Sequence, residues 1–126
     1  MSTTATNKGV RISPRKVGVV VALVRGRTVT DALTILEHTP RGAATAVAKA
    51  IKSASANAEH NHNFKPDSLF ISEISVTPGP RFKRYRPAAR GRALPFQRKT
   101  SHIRVVLDGQ KRQPKKAAKK PIEEKA

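Results

Sequence analysis

The chain has 126 residues, of which 26 are Lys or Arg and only 8 are Asp or Glu, giving a formal charge of +18. That length suits one domain around one core, and a hydrophobic content of 37% keeps the core modest. The absence of Cys excludes a disulfide framework and a cysteine-rich metal site, the N-terminal MSTTATNKG has no apolar run that could serve as a signal peptide, and no segment is long enough to span a bilayer.

A cytoplasmic protein with no membrane partner is therefore the expectation. The excess positive charge points to a polyanion that neutralises it, because self-repulsion on this scale brings a free globular protein no benefit.

In chain order, residues 1–9 are polar and aperiodic and read as a flexible lead-in. Val10-Arg11-Ile12 is a short extended piece and a candidate strand. Ser13-Pro14 is a helix start, since proline at the first helical position gives up only an amide that would be unpaired anyway. Val17, Val20, Val21 and Val24 then recur at helical spacing until Arg25-Gly26-Arg27 stops the run. Valine is a middling helix former, so packing must hold this helix. Thr28 with Asp31 resembles a capping box opening a second helix to about His38, with Ala32, Leu33, Ile35 and Leu36 inward. Thr39-Pro40 repeats the cap-then-proline start for a third helix over about 41–58, and its stripe of Ala44, Val47, Ala48, Ile51 and Ala58 implies close approach to whatever lies beneath.

The period then changes. A strand is predicted over 68–77, with Phe70, Ile74 and Val76 on one side and Leu69 and Ile71 on the other. A second, over 102–108, alternates Ile103, Val105 and Leu107. Helices grouped before strands give the α+β class: three helices packed on a small antiparallel three-stranded sheet, in a single domain over 10–110. The lysine- and alanine-rich residues 111–126 read as a basic disordered tail.

Between the two strands lies PGPRFKRYRPAARGRALPFQRKTS, which carries eight cations and no acid. The simplest geometry is a long extended hairpin over 78–101, turning near 87–93. At about 3.4 Å per residue its tip would stand some 30 Å from the core. An isolated two-stranded ribbon is marginal in water, and like charges weaken it further. Arginine outnumbers lysine six to two in this stretch, and arginine's bidentate phosphate contacts and stacking favour RNA. Phe82, Tyr85 and Phe96 are candidates to stack on unpaired bases. A flexible basic loop is the plainer alternative, but such loops look like this chain's own Lys/Ala tail.

Arg11, Arg15 and Lys16 gather at the first helix start, where free amides and the helix dipole also favour phosphate. Arg25 and Arg27 flank a turn and are further candidate RNA contacts, whereas Lys49 and Lys52 read equally well as solvated charge. Asn57, His60, Asn61, His62 and Asn63 suggest a helix C-cap or polar RNA contacts rather than a metal site, since the nearby acids are only Glu59 and Asp67. No nucleophile motif, Gly-rich phosphate loop or cofactor motif is present, so no enzyme is expected. Ser101 and His102, adjacent in a strand, point to opposite faces and read as structural.

Several motifs together resemble one family. They are Arg11-Ile-Ser-Pro-Arg-Lys-Val17, Val24-Arg25-Gly26-Arg27, Ser53-Ala54, Ala56-Asn57-Ala58-Glu59-His60-Asn61, Lys83-Arg84 with Pro87, Gly91-Arg92-Ala93, and Thr100-Ser101-His102-Ile103. In this order and spacing they are similar to the bacterial large-subunit ribosomal protein family L-twenty-two, over about 10–107. The resemblance implies a globular domain on the outer face of the large subunit and a hairpin running through ribosomal RNA to line the polypeptide exit tunnel. It implies RNA contacts by Arg11, Arg15, Lys16, Arg25, Arg27, Arg81, Lys83, Arg84, Arg86, Arg90, Arg92, Arg98 and Lys99. The tip, Ala88, Ala89, Arg90 and Gly91, would face the tunnel and its nascent polypeptide, with neighbouring ribosomal proteins as further partners and a part in subunit assembly. The chain departs from the family pattern at Ala88, where an arginine is usual, at Gly18, where a basic residue is frequent, and in the apolar Leu94-Pro95-Phe96. The rival reading is a DNA-compacting protein with an arginine-rich ribbon arm.

Overall fold

The computed structural model describes residues 2–110. The basic tail expected at 111–126 lies outside the described residues. Elements follow as strand β1 (Thr3–Val10), helices α1 (Pro14–Val24), α2 (Val29–Glu37) and α3 (Gly42–His62), then strands β2 (Phe70–Pro87) and β3 (Ala93–Asp108). The class is α+β, with α1 and α3 against one antiparallel sheet of order β1-β3-β2 and α2 packed on those two helices.

Helices α1 and α2 begin where the local sequence favours a helix start. Ser13 is extended ahead of Pro14, although its hydroxyl makes no capping bond. Val17, Val20, Val21 and Val24 are all fully buried. The helix stops where Arg25 turns extended and Gly26 takes φ +77°, a value that glycine adopts without strain. Thr28 Oγ1 accepts from the Asp31 amide at 3.3 Å, as the capping pattern predicts. Helix α3 does not start from a Thr39 cap: its N-cap is Arg41, without a capping bond, and the Thr39 hydroxyl instead donates back to the Ile35 carbonyl of α2. It runs a full turn beyond its expected end, to a left-handed cap at Asn63 whose amide reaches the Ala58 carbonyl. Its buried stripe of Ala43, Ala44, Val47, Ala50, Ile51, Ala54 and Ala58 lets its backbone lie close over the sheet.

The sheet differs from the sequence reading in three places. The third strand is not Val10–Ile12; residues 3–9, read as a flexible lead-in, form most of β1, paired from Thr3↔Leu107 to Val10↔Ser101. Its inward residues, Thr3 and Ala5, are too small to register as an apolar stripe, yet both are buried. The predicted strand start at residue 68 gives way to a 3-10 turn over Pro66–Ser68. Finally, Phe70 does not share a face with Ile74. A bulge between Ile71 and Glu73 inserts one residue and switches parity, so Ile71 and Ile74 are both buried while Phe70 is 41% exposed. Ser72 Oγ donates to the Val106 carbonyl there, at 3.2 Å.

The core centres on the four valines of α1, Val47 and Ile51 of α3, and Ile71, Ile74, Ile103, Val105 and Leu107 of the sheet. Phe64 and Leu69, on the link between α3 and β2, close one end of it.

Candidate nucleic-acid interface

Strands β2 and β3 continue their pairing past the core, from Arg81↔Lys99 to Pro87↔Ala93. The departure point is built on three consecutive residues of β3. Both flanking strands carry one extra residue there: Lys8 and Gly9 of β1 face His102, and Gly79 and Pro80 of β2 face Thr100. Thr100 Oγ1 donates to the Pro80 carbonyl at 2.7 Å, and the Gly9 amide donates to His102 Nδ1 at 3.1 Å. The fully buried Ser101 donates its hydroxyl to the Ile12 carbonyl. Paired bulges increase twist and redirect a strand, and here they stand where the sheet becomes a ribbon. Ser101 and His102 thus tie the base of the ribbon to the first strand and the entry to α1.

At the far end, a 3-10 turn over Ala89–Gly91 reverses the chain, closed by the Ala88 amide donating to the Arg92 carbonyl at 2.7 Å. Arg90 and Gly91 are both left-handed, at φ 62° and 69°. The turn falls within the expected 87–93, and Ala89, Arg90 and Gly91 are exposed at its apex.

Register sorts the ribbon side chains onto two unlike faces, because directly paired residues share a side. One face carries Phe82 with Arg98, Arg84 with Phe96, and Arg86 with Leu94, a checkerboard of three guanidiniums and three apolar groups. Arg84 lies over the Phe82 ring at 5.8 Å and Arg98 over the Phe96 ring at 5.3 Å. Such contacts are worth about 0.5–1 kcal/mol each when exposed, and they stiffen the ribbon. The other face carries Arg81 with Lys99, Lys83 with Gln97, Tyr85 with Pro95, and Pro87 with Ala93. The three aromatics read together in the sequence are therefore divided, Phe82 and Phe96 on one face and Tyr85 on the other.

Each face joins the globular part through a basic cleft. Arg11 meets Phe82, Arg84 and Arg98 in one, with Lys99 and Thr100 shared between the two. Ser13 and Arg15, at the start of α1, meet Arg81 and Lys99 in the other. Lys16 is exposed but lines neither. Arg92 ends the tip turn.

Arg25 and Arg27 stand apart from this surface. Arg25 Nη2 donates to the Ile74 carbonyl at 3.2 Å, and Arg27 Nε donates to the Leu23 carbonyl at 3.0 Å, closing the end of α1. Lys49 and Lys52 border a shallow groove between α2 and α3, with Leu33, Leu36 and Arg41. Among the described residues the one ion pair is Arg104–Glu73, at 3.1 Å on the sheet. None of the eight ribbon cations has an acidic partner there.

Sequence reasoning missed the fit of Gly79, where a Cβ would meet Thr100 Oγ1 at 2.6 Å and His102 Cε1 at 3.1 Å. The Pro78-Gly79-Pro80 triplet was its available signal, since glycine and proline inside a strand mark bulges.

The arrangement suits phosphate backbones on both faces of a narrow arm. The family described as "Ribosomal protein L22p/L17e" matches residues 5–108. The chain is 50% identical over 111 residues to the large ribosomal subunit protein uL22 of Clostridioides difficile, covering 88% of this chain and all of that one. It is 52% identical to that of Oceanobacillus iheyensis, covering 88% of this chain and 98% of the relative. For Desulfitobacterium hafniense the identity is 54%, over 78% and 86% of the two chains. The chain belongs to the ribosomal protein L22p/L17e family.

Proposed function

We propose that the protein is a non-catalytic structural constituent of the large ribosomal subunit, and hence of the cytoplasm, that binds ribosomal RNA and supports subunit assembly. The observation that carries this reading is the ribbon: six cations held at fixed register on a paired arm and two more at its tip, with no acidic partner for any of them among the described residues. An arm so charged needs an anion on both sides, and folded RNA supplies closely spaced phosphates. Arg11, Arg84, Arg86 and Arg98 serve one face, while Arg15, Arg81, Lys83 and Lys99 serve the other. Arg25 and Arg27 act mainly by holding the fold. Lys16 adds a peripheral contact.

The tip, Ala88–Arg92, reaches the polypeptide exit tunnel and meets the nascent polypeptide there, with Arg90 and Arg92 as its charged groups. Neighbouring ribosomal proteins pack against the globular part. Sedimentation through a sucrose gradient after a high-salt wash tests the main reading. A tagged copy that travels with the large subunit supports it; one that remains at the top, or follows DNA, overturns it. The tip role has its own check, since Arg90→Ala with Arg92→Ala should change stalling by tunnel-sensitive nascent chains without removing the protein from the subunit.

A further inference from the structure

We propose that Tyr85 is the residue on which the ribbon stacks an unpaired RNA base, a refinement that rests on the RNA-binding reading above. Stacking needs an open aromatic face, a rigid mount and a nearby cation for the phosphate of the same nucleotide. Of the three ribbon aromatics, Phe82 and Phe96 already have guanidiniums of their own chain over their rings. Tyr85 is on the opposite face and is the most exposed large apolar side chain described, at 67% against 45% for Phe82. Its cross-strand partner is Pro95, which offers no charge to compete for the ring. Pro87, two residues on along the same face, lies immediately before the tip turn.

The cation is supplied by Lys83, two residues back on that face, with Arg81 and Lys99 beyond it toward the sheet. An apolar protein partner would find Tyr85 at the end of a row of three positive charges. A nucleotide finds a ring for its base and a row of cations for its backbone. The two faces thereby divide the work: the Arg/Phe face holds phosphates, and the Tyr85 face holds phosphates together with one flipped base.

The test uses the full-length protein and two RNA oligonucleotides of equal length, a single strand containing 2-aminopurine and a blunt duplex, at one fixed salt concentration. Tyr85→Leu should weaken single-strand binding by about tenfold and duplex binding by less than about twofold, while Tyr85→Phe stays within about twofold on both. Quenching of the 2-aminopurine on binding should persist with Tyr85→Phe and disappear with Tyr85→Leu. Phe82→Leu should change affinity for the two RNAs by the same factor. The proposal is overturned if Tyr85→Leu leaves the single-strand affinity unchanged, or if both RNAs lose affinity equally. If the unaltered protein binds neither RNA, the RNA-binding reading itself has failed; binding to both with a harmless Tyr85→Leu removes only the role of Tyr85.

Discussion

The hydroxyl of Thr100 is bonded to the carbonyl of Pro80 and stands where a side chain on Gly79 would have to go, 2.6 Å from the position of its Cβ. The glycine is thus required by space rather than by backbone conformation. Gly79→Ala is expected to lower stability by about 1–3 kcal/mol, as overpacking of a fixed neighbour does. In a Thr100→Ala background the same change should cost less, because the obstructing hydroxyl is gone. Denaturation midpoints of the four proteins give that coupling directly; simple additivity would mean that the two residues do not constrain each other.

Arg81 and Lys99 are like charges directly across from one another, an arrangement that destabilises a free sheet. Replacing both with Ala should leave the isolated protein as stable as before, or slightly more so. It should also flatten the log–log salt dependence of RNA affinity by about 1.4–1.8, since each lost phosphate contact contributes about 0.7–0.9. A variant that loses stability without a change of slope would place these residues in the fold and not at RNA.

Arg25 should behave in the opposite way. Its guanidinium bonds the Ile74 carbonyl, so Arg25→Ala is expected to cost about 1 kcal/mol of stability and to leave the salt slope unchanged. Measuring both quantities on one preparation separates a fold-holding arginine from a phosphate-binding one.

Phe64 is only 1% exposed and is the largest fully buried side chain among the described residues. Phe64→Ala should remove about 3–5 kcal/mol, a large share of the roughly 5–15 kcal/mol typical of a domain. Loss of the cooperative thermal transition at 37 °C would be the simplest readout.

Asn63 holds φ 53° at the end of α3. Asn63→Gly should be neutral or mildly stabilising, whereas Asn63→Val should cost about 1–2 kcal/mol, the penalty for a β-branched residue in the left-handed region. Comparing their melting temperatures checks the assignment.

Much of this fold is written in local patterns. Ser13-Pro14, the Thr28/Asp31 pair and the alternation of Ile103, Val105 and Leu107 each depend on neighbours in sequence, and each stands where the pattern places it. The hairpin turn was equally legible, because proline and glycine bracket it. What escaped were features fixed by distant pairing. The first strand is built of threonine and alanine whose burial only β3 and α3 reveal, and Phe70 was assigned to the wrong face because a single inserted residue changes parity. Phe64 lies between a helical and a strand period and belongs to neither pattern. At the interface, the cations were visible as a list, but the division of Phe82 and Phe96 from Tyr85 depends on inter-strand register. The structural bonds of Arg25 and Arg27 depend likewise on backbone carbonyls that no side-chain pattern announces.

The central place of β3 has a consequence for the order of events during synthesis. Thr3 pairs with Leu107, so the first strand to be made must wait for the last before either edge of the sheet can close. Until then the helices alone can collapse locally, with their valine and alanine faces unshielded. Closing so long a loop carries a high entropic cost and makes final folding slow relative to helix formation. Completion of the sheet therefore waits on β3, and an anion that gathers β2 and β3 early would act as a template for it.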